Sequence, residues 1–238
     1  MLLLAVDTCD SRGSVALLRD EHVLHQEIHN TSQDYSSWLL PAVDRVLKAG
    51  NVSLADLQAC AVATGPGSFT GVRVGLATVK AWSEVYGLPI APVSRLDALY
   101  TYSYGKTAYV AAFSDAHRHQ IFAALYRRMN GLLDRIGDEV VTSPEAFLES
   151  TINTAQASRI EWISPDPKCF SDTKLWPSRL SQGESIYVIP AVLAPAIGRS
   201  GYRLLTQGRL TDALRLDANY VRRSDAEVFW KGASSHVE

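Results

Sequence analysis

The chain has 238 residues, of which 47% are hydrophobic and 20% charged, and its formal net charge is −2. This is the composition of a soluble globular protein, and the nearly neutral charge argues against a main surface that binds nucleic acid unaided. Cys9, Cys60 and Cys169 are odd in number and scattered, so they suit a reducing cytosol rather than a disulfide framework. Without a signal-peptide pattern or an apolar run of membrane-spanning length, we expect a cytoplasmic protein with no membrane partner.

The N-terminal part of the chain predicts a mixed α/β unit. Residues 2–6 form a continuous apolar run, as expected of a central strand, and a hairpin of two further strands follows it. Apolar residues then recur with helical and strand periodicity in alternation. The predicted elements are strands at 2–6, 14–18 and 23–28, a helix at 35–49, a strand at 59–64, a helix at 71–86, a strand at 90–93 and a helix at 96–102.

The same order begins again in the second part of the chain. The apolar strand at 108–113 ends in Ser114-Asp115, as the first strand ends in Asp7-Thr8. Further elements are predicted as strands at 121–126 and 132–141, a helix starting at 144–150, a strand at 160–163 and a helix at 191–207. We therefore expect two similar α/β halves, each with a mixed sheet, over residues 1–105 and 106–238.

A glycine-rich turn joins the strand at 59–64 to the helix at 71–86. Its residues are Gly65, Pro66, Gly67, Ser68, Phe69, Thr70, Gly71, Val72, Arg73, Val74 and Gly75. Such a turn can hold an anion on the amides of the new helix, or its small face can pack against another element. It is neither a P-loop nor a dinucleotide fingerprint, because no Gly-Lys-Ser/Thr follows and the glycine spacing differs. Short glycine-rich turns are usually structural, which favours packing.

These eleven residues and the following Leu76-Ala77-Thr78-Val79-Lys80 resemble the signature of the TsaB (YeaZ) family. Members of that family are bacterial proteins for threonylcarbamoyladenosine biosynthesis on tRNA. Shorter matches occur at Leu4-Ala5-Val6-Asp7-Thr8, Ser114-Asp115-Ala116 and Tyr220-Val221-Arg222, so the resemblance spans most of the chain. It implies the actin-like ATPase fold (the ASKHA or ribonuclease H-like fold), in agreement with the two similar halves.

The resemblance also implies that the phosphate elements of this fold are degenerate here. In actin-like ATPases an aspartate at the end of each first strand serves phosphate and metal, and the matching positions are Asp7, followed by Thr8, and Asp115. A glycine usually stands two residues after each aspartate, but Cys9 and His117 stand there instead. A side chain at that position hinders the approach of backbone to phosphate. The chain also lacks the Gly-Gly pair that kinases of this fold hold against adenine, so we expect no bound cofactor, ATP being used by the partner subunits.

No metal site is predicted, because the histidines and cysteines lack ligand spacing. His25 and His29 are four residues apart, like the metal pair of TsaD proteins, but they straddle the end of a predicted strand, where such residues lie far from each other. The segment 199–231 has seven basic and four acidic residues. It is either a solvated surface or a weak patch facing tRNA or a partner.

In the TsaB family the first two helices form the contact with TsaD, and we expect the same helices to form a homodimer. The predicted contact residues are Trp38, Leu39, Ala42, Gly71, Val74, Gly75, Thr78 and Trp82. Large aromatic side chains beside small residues are typical interface anchors. The alternative is that both tryptophans lie in the core of the monomer. Tyr35-Ser36 stands where the family usually has His-Ser, and Trp82 where it commonly has Gly.

Taken together, the resemblance implies a non-catalytic subunit that binds and activates a TsaD-type threonylcarbamoyl transferase. That transferase modifies the adenosine next to the tRNA anticodon. The implied partners are the TsaD-type subunit, a TsaE-type ATPase and, indirectly through the complex, tRNA. The alternative is an enzyme: a small-molecule kinase or acyltransferase of the actin-like fold.

Overall fold

The computed structural model describes residues 1–29, 33–105, 107–129, 132–156 and 158–221. Two five-stranded mixed sheets form its framework. The first half contains β1 (Leu2–Asp7), β2 (Ser14–Arg19), β3 (His22–Ile28), α1 (Tyr35–Ala49), β4 (Ala59–Gly65), α2 (Phe69–Tyr86), β5 (Ile90–Ser94) and α3 (Arg95–Tyr100). The second contains β6 (Tyr109–Asp115), β7 (Ile121–Met129), β8 (Leu132–Thr142), α4 (Pro144–Ala155), β9 (Ile160–Ser164), α5 (Trp176–Ser181) and β10 (Ile186–Val188), and α6 (Ala194–Thr206) follows.

The two sheets have the same topology. The strand order is β3-β2-β1-β4-β5 in the first sheet and β8-β7-β6-β9-β10 in the second. In each, the first three strands pair antiparallel, and the first strand also pairs parallel with the fourth. The central strand β1 is buried along its whole length, which explains its unbroken apolar sequence. The predicted repeat of an α/β unit is therefore confirmed.

The last helix returns to the first sheet. Gly198 lies beside Leu18, and Gly201 beside Ala61, so closely that a Cβ atom at either glycine would overlap the neighbouring side chain. The amide of Ala194 donates a hydrogen bond to Ser14 Oγ over 3.0 Å. Beyond the helix, residue 211 pairs with the edge strand β5. Residues 194–221 thus pack with the first half, whereas the division at 105/106 places them in the second; sequence periodicity does not reveal which sheet a terminal helix covers.

Two short elements, α5 and β10, are absent from the sequence prediction, and α4 is longer than its first predicted turns. The end of α4, the helix α5 and the strand β10 lie within or just after residues 151–183, a segment rich in Ser, Pro and Asp where composition predicts loop. Tertiary packing orders it, since Trp162, Phe170 and Trp176 form an aromatic cluster there. In the described part of the chain, no helix is long and apolar enough to cross a membrane.

Candidate functional site between the two halves

The glycine-rich turn packs on the end of β1. The amide of Ser68 donates to the carbonyl of Cys9 over 2.6 Å, and Thr8 Oγ1 donates to the carbonyl of Gly71 over 2.7 Å. A Cβ atom at Gly71 would overlap the backbone carbonyl of Thr8, and one at Gly75 would lie 2.5 Å from Thr8 Oγ1. The glycines therefore let α2 approach the backbone that follows β1, which is the packing interpretation of the motif.

A double-mutant cycle can measure this close approach. Gly75→Ala should destabilise the protein by about 1–3 kcal/mol, because the new methyl group overpacks against the Thr8 hydroxyl. Thr8→Ala removes that hydroxyl, so the double variant should be more stable than the sum of the two single changes predicts. Gly71→Ala is the matched control, since it meets a backbone carbonyl that Thr8→Ala leaves in place. Chemical denaturation measures each variant; additive effects at 8 and 75 would contradict the packing geometry.

The carboxylate of Asp7 is buried and already paired. Its side chain is 0% exposed, and Arg95 Nε lies 3.2 Å from Asp7 Oδ2. The other carboxylate oxygen accepts a hydrogen bond from the amide of Cys9 over 3.0 Å. Arg95 is itself 4% exposed and also bonds Asp10 Oδ2 over 2.9 Å. A guanidinium from α3 therefore lies against the carboxylate that binds metal in catalytic actin-like proteins.

The ion pairs continue from the first half into the second. Arg12 bonds Asp10 over 2.8 Å and Asp166 over 2.7 Å. Asp166 Oδ2 in turn accepts the amide of Asp115 over 2.9 Å. The chain Asp7–Arg95–Asp10–Arg12–Asp166 thus links the ends of β1 and β6, and we call it the cleft ion network.

The network also shifts the pKa of its members. Burial alone would raise the pKa of Asp10, but Arg95 and Arg12 outweigh it and lower the pKa to about 2. Burial beneath the glycine-rich turn, with the nearby Asp7, raises the pKa of the Cys9 thiol well above its ordinary value. Cys9 therefore remains an uncharged thiol in a closed site, where it is not suited to act as a nucleophile.

The position in the second half that corresponds to Asp7 is accessible to solvent. Asp115 is exposed and accepts the amide of His117 over 2.7 Å. His117, Arg118 and His119 all have positive φ, from 54° to 58°, which L residues adopt at a cost. Beside this turn lies a groove of about 750 Å³ that also contacts Lys168. The predicted degenerate positions thus differ, since Asp7 and Thr8 are buried whereas Asp115 faces solvent.

The side chain at Tyr35 fixes the loop between β1 and β2. Its hydroxyl accepts the amide of Gly13 over 2.9 Å and donates to the carbonyl of Asp10. Its ring lies 4.2 Å from that of His29, whose Nε2 lies 2.7 Å from the carbonyl of Gln33. His29 therefore has its contacts close to this loop. Tyr35, which stands where the family usually has histidine, fixes the loop that carries Asp10 and Arg12.

The predicted contact residues on the first two helices divide into two groups. Six lie inside the monomer, because those faces of α1 and α2 cover the sheet: Trp38, Leu39, Ala42, Gly71, Gly75 and Trp82. Their burial matches the core alternative for the tryptophans. Val74 and Thr78 are half-buried and border a face of α2 that remains accessible. That face, which we call the outer α2 stripe, consists of Val74, Ala77, Thr78, Ala81 and Val85.

The outer α2 stripe follows helical spacing, so its five members form one strip along the helix. Ala77 and Ala81 are exposed, and Val85 is 72% exposed. On the neighbouring α1, Leu40 is 55% exposed. The accessible surface of the two helices therefore includes an apolar part, which is formed by residues other than the predicted aromatic anchors.

Two further motif residues, Phe69 and Arg73, contact Tyr220 at the surface near the start of α2. The guanidinium of Arg73 lies 3.6 Å from the ring centroid of Phe69, and Arg73 Nε donates to Tyr220 Oη over 3.0 Å. Arg222, the last residue of the matching C-terminal motif, lies outside the described residues, as does the rest of the basic segment from 222 to 231. Within the described ranges, no group of three His, Cys, Asp or Glu side chains is arranged to hold a metal ion, and the lack of a metal stays a prediction.

The duplicated sheet topology defines this chain as a protein of the actin-like ATPase fold. A ROK family protein from Streptococcus pneumoniae superposes with a TM-score of 0.50 and 13% identity, over 88% of this chain and 99% of that one. YeaZ from Pseudomonas aeruginosa superposes with a TM-score of 0.68 and 25% identity, over 92% of this chain and 99% of that one.

Sequence comparison then gives the family. The tRNA threonylcarbamoyladenosine biosynthesis protein TsaB of Escherichia coli is 31% identical over 239 residues, 97% of each chain. The Bacillus subtilis protein of the same name is 34% identical over 136 residues, which span 57% of this chain and only 59% of the relative. A family model described as TsaD, tRNA N6-adenosine threonylcarbamoyltransferase, matches residues 22–176. The chain belongs to the TsaB (YeaZ) family.

Proposed function

We propose that this chain is a non-catalytic subunit of the complex that forms threonylcarbamoyladenosine on tRNA, where it binds and activates a TsaD-type transferase. Family membership supports the pathway. The observation that carries the accessory role is the buried pair between Arg95 and Asp7. It concerns this chain's own residues and does not depend on the names of its relatives.

The ion pair opposes phosphoryl chemistry at this site. Catalysis on phosphate needs a divalent cation and backbone amides that approach the phosphate oxygens. A cation at Asp7 would have to displace a buried guanidinium that also bonds Asp10. The backbone after Asp7 is covered by the glycine-rich turn, since Cys9 accepts the amide of Ser68. Within the first half, neither a divalent cation nor a phosphate group could therefore approach Asp7 and the backbone that follows it. In our proposal the chain binds no cofactor of its own, and its partners use ATP.

The contact with the partner subunit is assigned to the outer α2 stripe and the adjoining α1 surface around Leu40. Apolar, accessible helix faces without large side chains let another helix pack closely. The same faces would form the homodimer, so homodimer and complex would exclude each other. A TsaE-type ATPase completes the proposed cytoplasmic assembly, and tRNA is reached through the TsaD-type subunit.

Reconstitution tests the proposal. Threonylcarbamoyl incorporation into tRNA is measured with a TsaD-type subunit, a TsaE-type ATPase and the activated donor, with and without this chain. We expect incorporation to fall to background when the chain is omitted. Asp115→Asn should keep incorporation within about twofold, because the carboxylate is exposed and an asparagine oxygen can still accept the amide of His117; effects of surface changes of this kind are usually small.

Two results would contradict the proposal. One is full incorporation without the chain. The other is ATP hydrolysis by the purified chain that Asp115→Asn abolishes, which would favour the alternative of a small-molecule kinase or acyltransferase.

A further inference from the structure

A separate cleft lies on the molecule between α3, α6 and the hairpin of β7 and β8. It encloses about 410 Å³, within the range of small-molecule sites. None of its lining residues belongs to the cleft ion network. Its walls come from both halves and from the segment after α6.

Three arginines from three different elements line this cleft: Arg128 on β7, Arg203 on α6 and Arg209 beyond it. Arg128 donates from Nε to the carbonyl of Thr107 over 3.2 Å and from Nη2 to Ser103 Oγ over 2.5 Å; among the described residues its Nη1 has no partner. Arg203 uses its Nε for Glu21, 2.9 Å away, and in the same part of the chain its two terminal nitrogens have no partner. The guanidinium of Arg209 has no hydrogen bond or ion pair within the described ranges and acts on Asp97 only through its charge.

Two carboxylates, Asp97 and Asp134, also line the cleft and reduce its positive charge. Asp97 accepts the hydroxyl of Tyr126 over 2.8 Å and lies 3.6 Å from Arg135, so its carboxylate already has partners within the protein. Asp134 is exposed on β8. The lining as a whole has an excess of one positive charge, and among its donors only those of the arginines are cationic.

The geometry points to a phosphate-binding site, and we propose that this cleft binds the phosphate group of a ligand of nucleotide size. Guanidinium groups present paired N–H donors that match the oxygens of phosphate. The hydroxyl groups of Thr101 and Ser200 add polar lining without charge. The phosphate can belong to a free nucleotide or to a nucleotide within RNA. This proposal does not rest on the TsaB role, because it concerns a cleft away from both the cleft ion network and the outer α2 stripe.

The test is a calorimetric titration of the full chain with ADP and, separately, with a short RNA oligonucleotide. Arg209→Gln should weaken binding of the true ligand at least tenfold and should leave the fold intact, since its guanidinium makes no hydrogen bond or ion pair with the described residues. Arg203→Gln should also weaken it. Arg215→Gln is the matched control, as Arg215 is exposed on the same C-terminal segment and does not line the cleft.

Each outcome decides between the sources or rejects the site. Binding of ADP that depends on Arg209, with no competition by RNA, supports a free nucleotide. Binding of RNA that depends on Arg209, without binding of ADP, supports an RNA phosphate. Binding of both that depends on Arg209 supports the shared phosphate site. Failure of both probes to bind, or equal binding by the Arg209→Gln and Arg215→Gln variants, overturns the proposal.

Discussion

Replacing Arg95 by leucine should lower the free energy of unfolding by about 3–5 kcal/mol, because it leaves buried carboxylates without their cation. The side chains of Asp7 and Arg95 are 0% and 4% exposed, so water cannot replace the lost partner. Arg215→Leu is the control, since Arg215 is exposed and its pair with Asp212 at 3.9 Å should contribute at most about 1 kcal/mol. Urea denaturation at pH 7 measures both variants.

A second substitution separates charge from packing. Asp7→Asn keeps an oxygen that can accept the Cys9 amide but removes the negative charge. The double variant Asp7→Asn with Arg95→Leu should therefore be more stable than Arg95→Leu alone. If Arg95→Leu alone is as stable as the natural chain, the cleft ion network contributes nothing and the proposed reason for lost phosphate chemistry fails.

The same variant should change the acid dependence of stability. In the natural chain the pKa of Asp10 is lowered to about 2, below the ordinary value of about 3.9. Its stabilising contribution is therefore complete above pH 4 and lost as the pH falls through 2. Without Arg95 the pKa of Asp10 should rise. Acid should then protonate Asp10 in the variant and remove its unpaired charge. The stability difference between the two proteins should shrink from pH 5 to pH 2; a constant difference would contradict a charge-based effect.

Placing an arginine on the outer α2 stripe should abolish the partner contact without unfolding the chain. In Ala77→Arg a large charged group is buried against the partner subunit, at a cost of roughly 3–5 kcal/mol. This corresponds to a dissociation constant that is about 150-fold to about 4,000-fold higher. Because Ala77 is exposed in the monomer, its stability should change by less than about 0.5 kcal/mol.

Calorimetry with the TsaD-type subunit measures the contact, and light scattering measures the homodimer. Ala146→Arg is the matched control, an exposed alanine of α4 in the other half. Equal affinity of the two variants would reject the outer α2 stripe as the interface. Trp82→Glu tests a different point: the residue Trp82 is 8% exposed, so this change should unfold the protein, and a folded monomer would contradict the core placement.

Much of the fold follows from local sequence patterns. The helix at 35–49 agrees with α1 at both ends, and the apolar runs mark the central strands β1 and β6. The periodicity of apolar residues and the positions of turn residues indicate short-range structure, so strands and long amphipathic helices can be predicted from sequence. The short elements β10 and α5 could not be predicted in this way, because aromatic residues remote in sequence pack against them and stabilise them.

The candidate site also shows what local sequence patterns cannot predict. Asp7, Thr8 and the glycine-rich turn could be found from contiguous motifs. Their partners Arg95 and Asp166 could not, since they lie 88 and 154 residues from Asp7 and Arg12 and no motif connects them. Likewise, helical periodicity shows that α2 has an apolar face, but Trp82 and Ala77 are both apolar and only the packed sheet decides which of them is covered.

The amino-acid sequence by itself determined the family, the duplicated α/β order and the glycines that allow α2 to approach β1, because each depends on neighbouring residues. The tertiary structure alone decided that a guanidinium neutralises Asp7, that the two tryptophans are internal and that α6 returns to the first sheet. Those outcomes depend on which distant surfaces meet when the chain excludes water, and burial then determines which charges must pair.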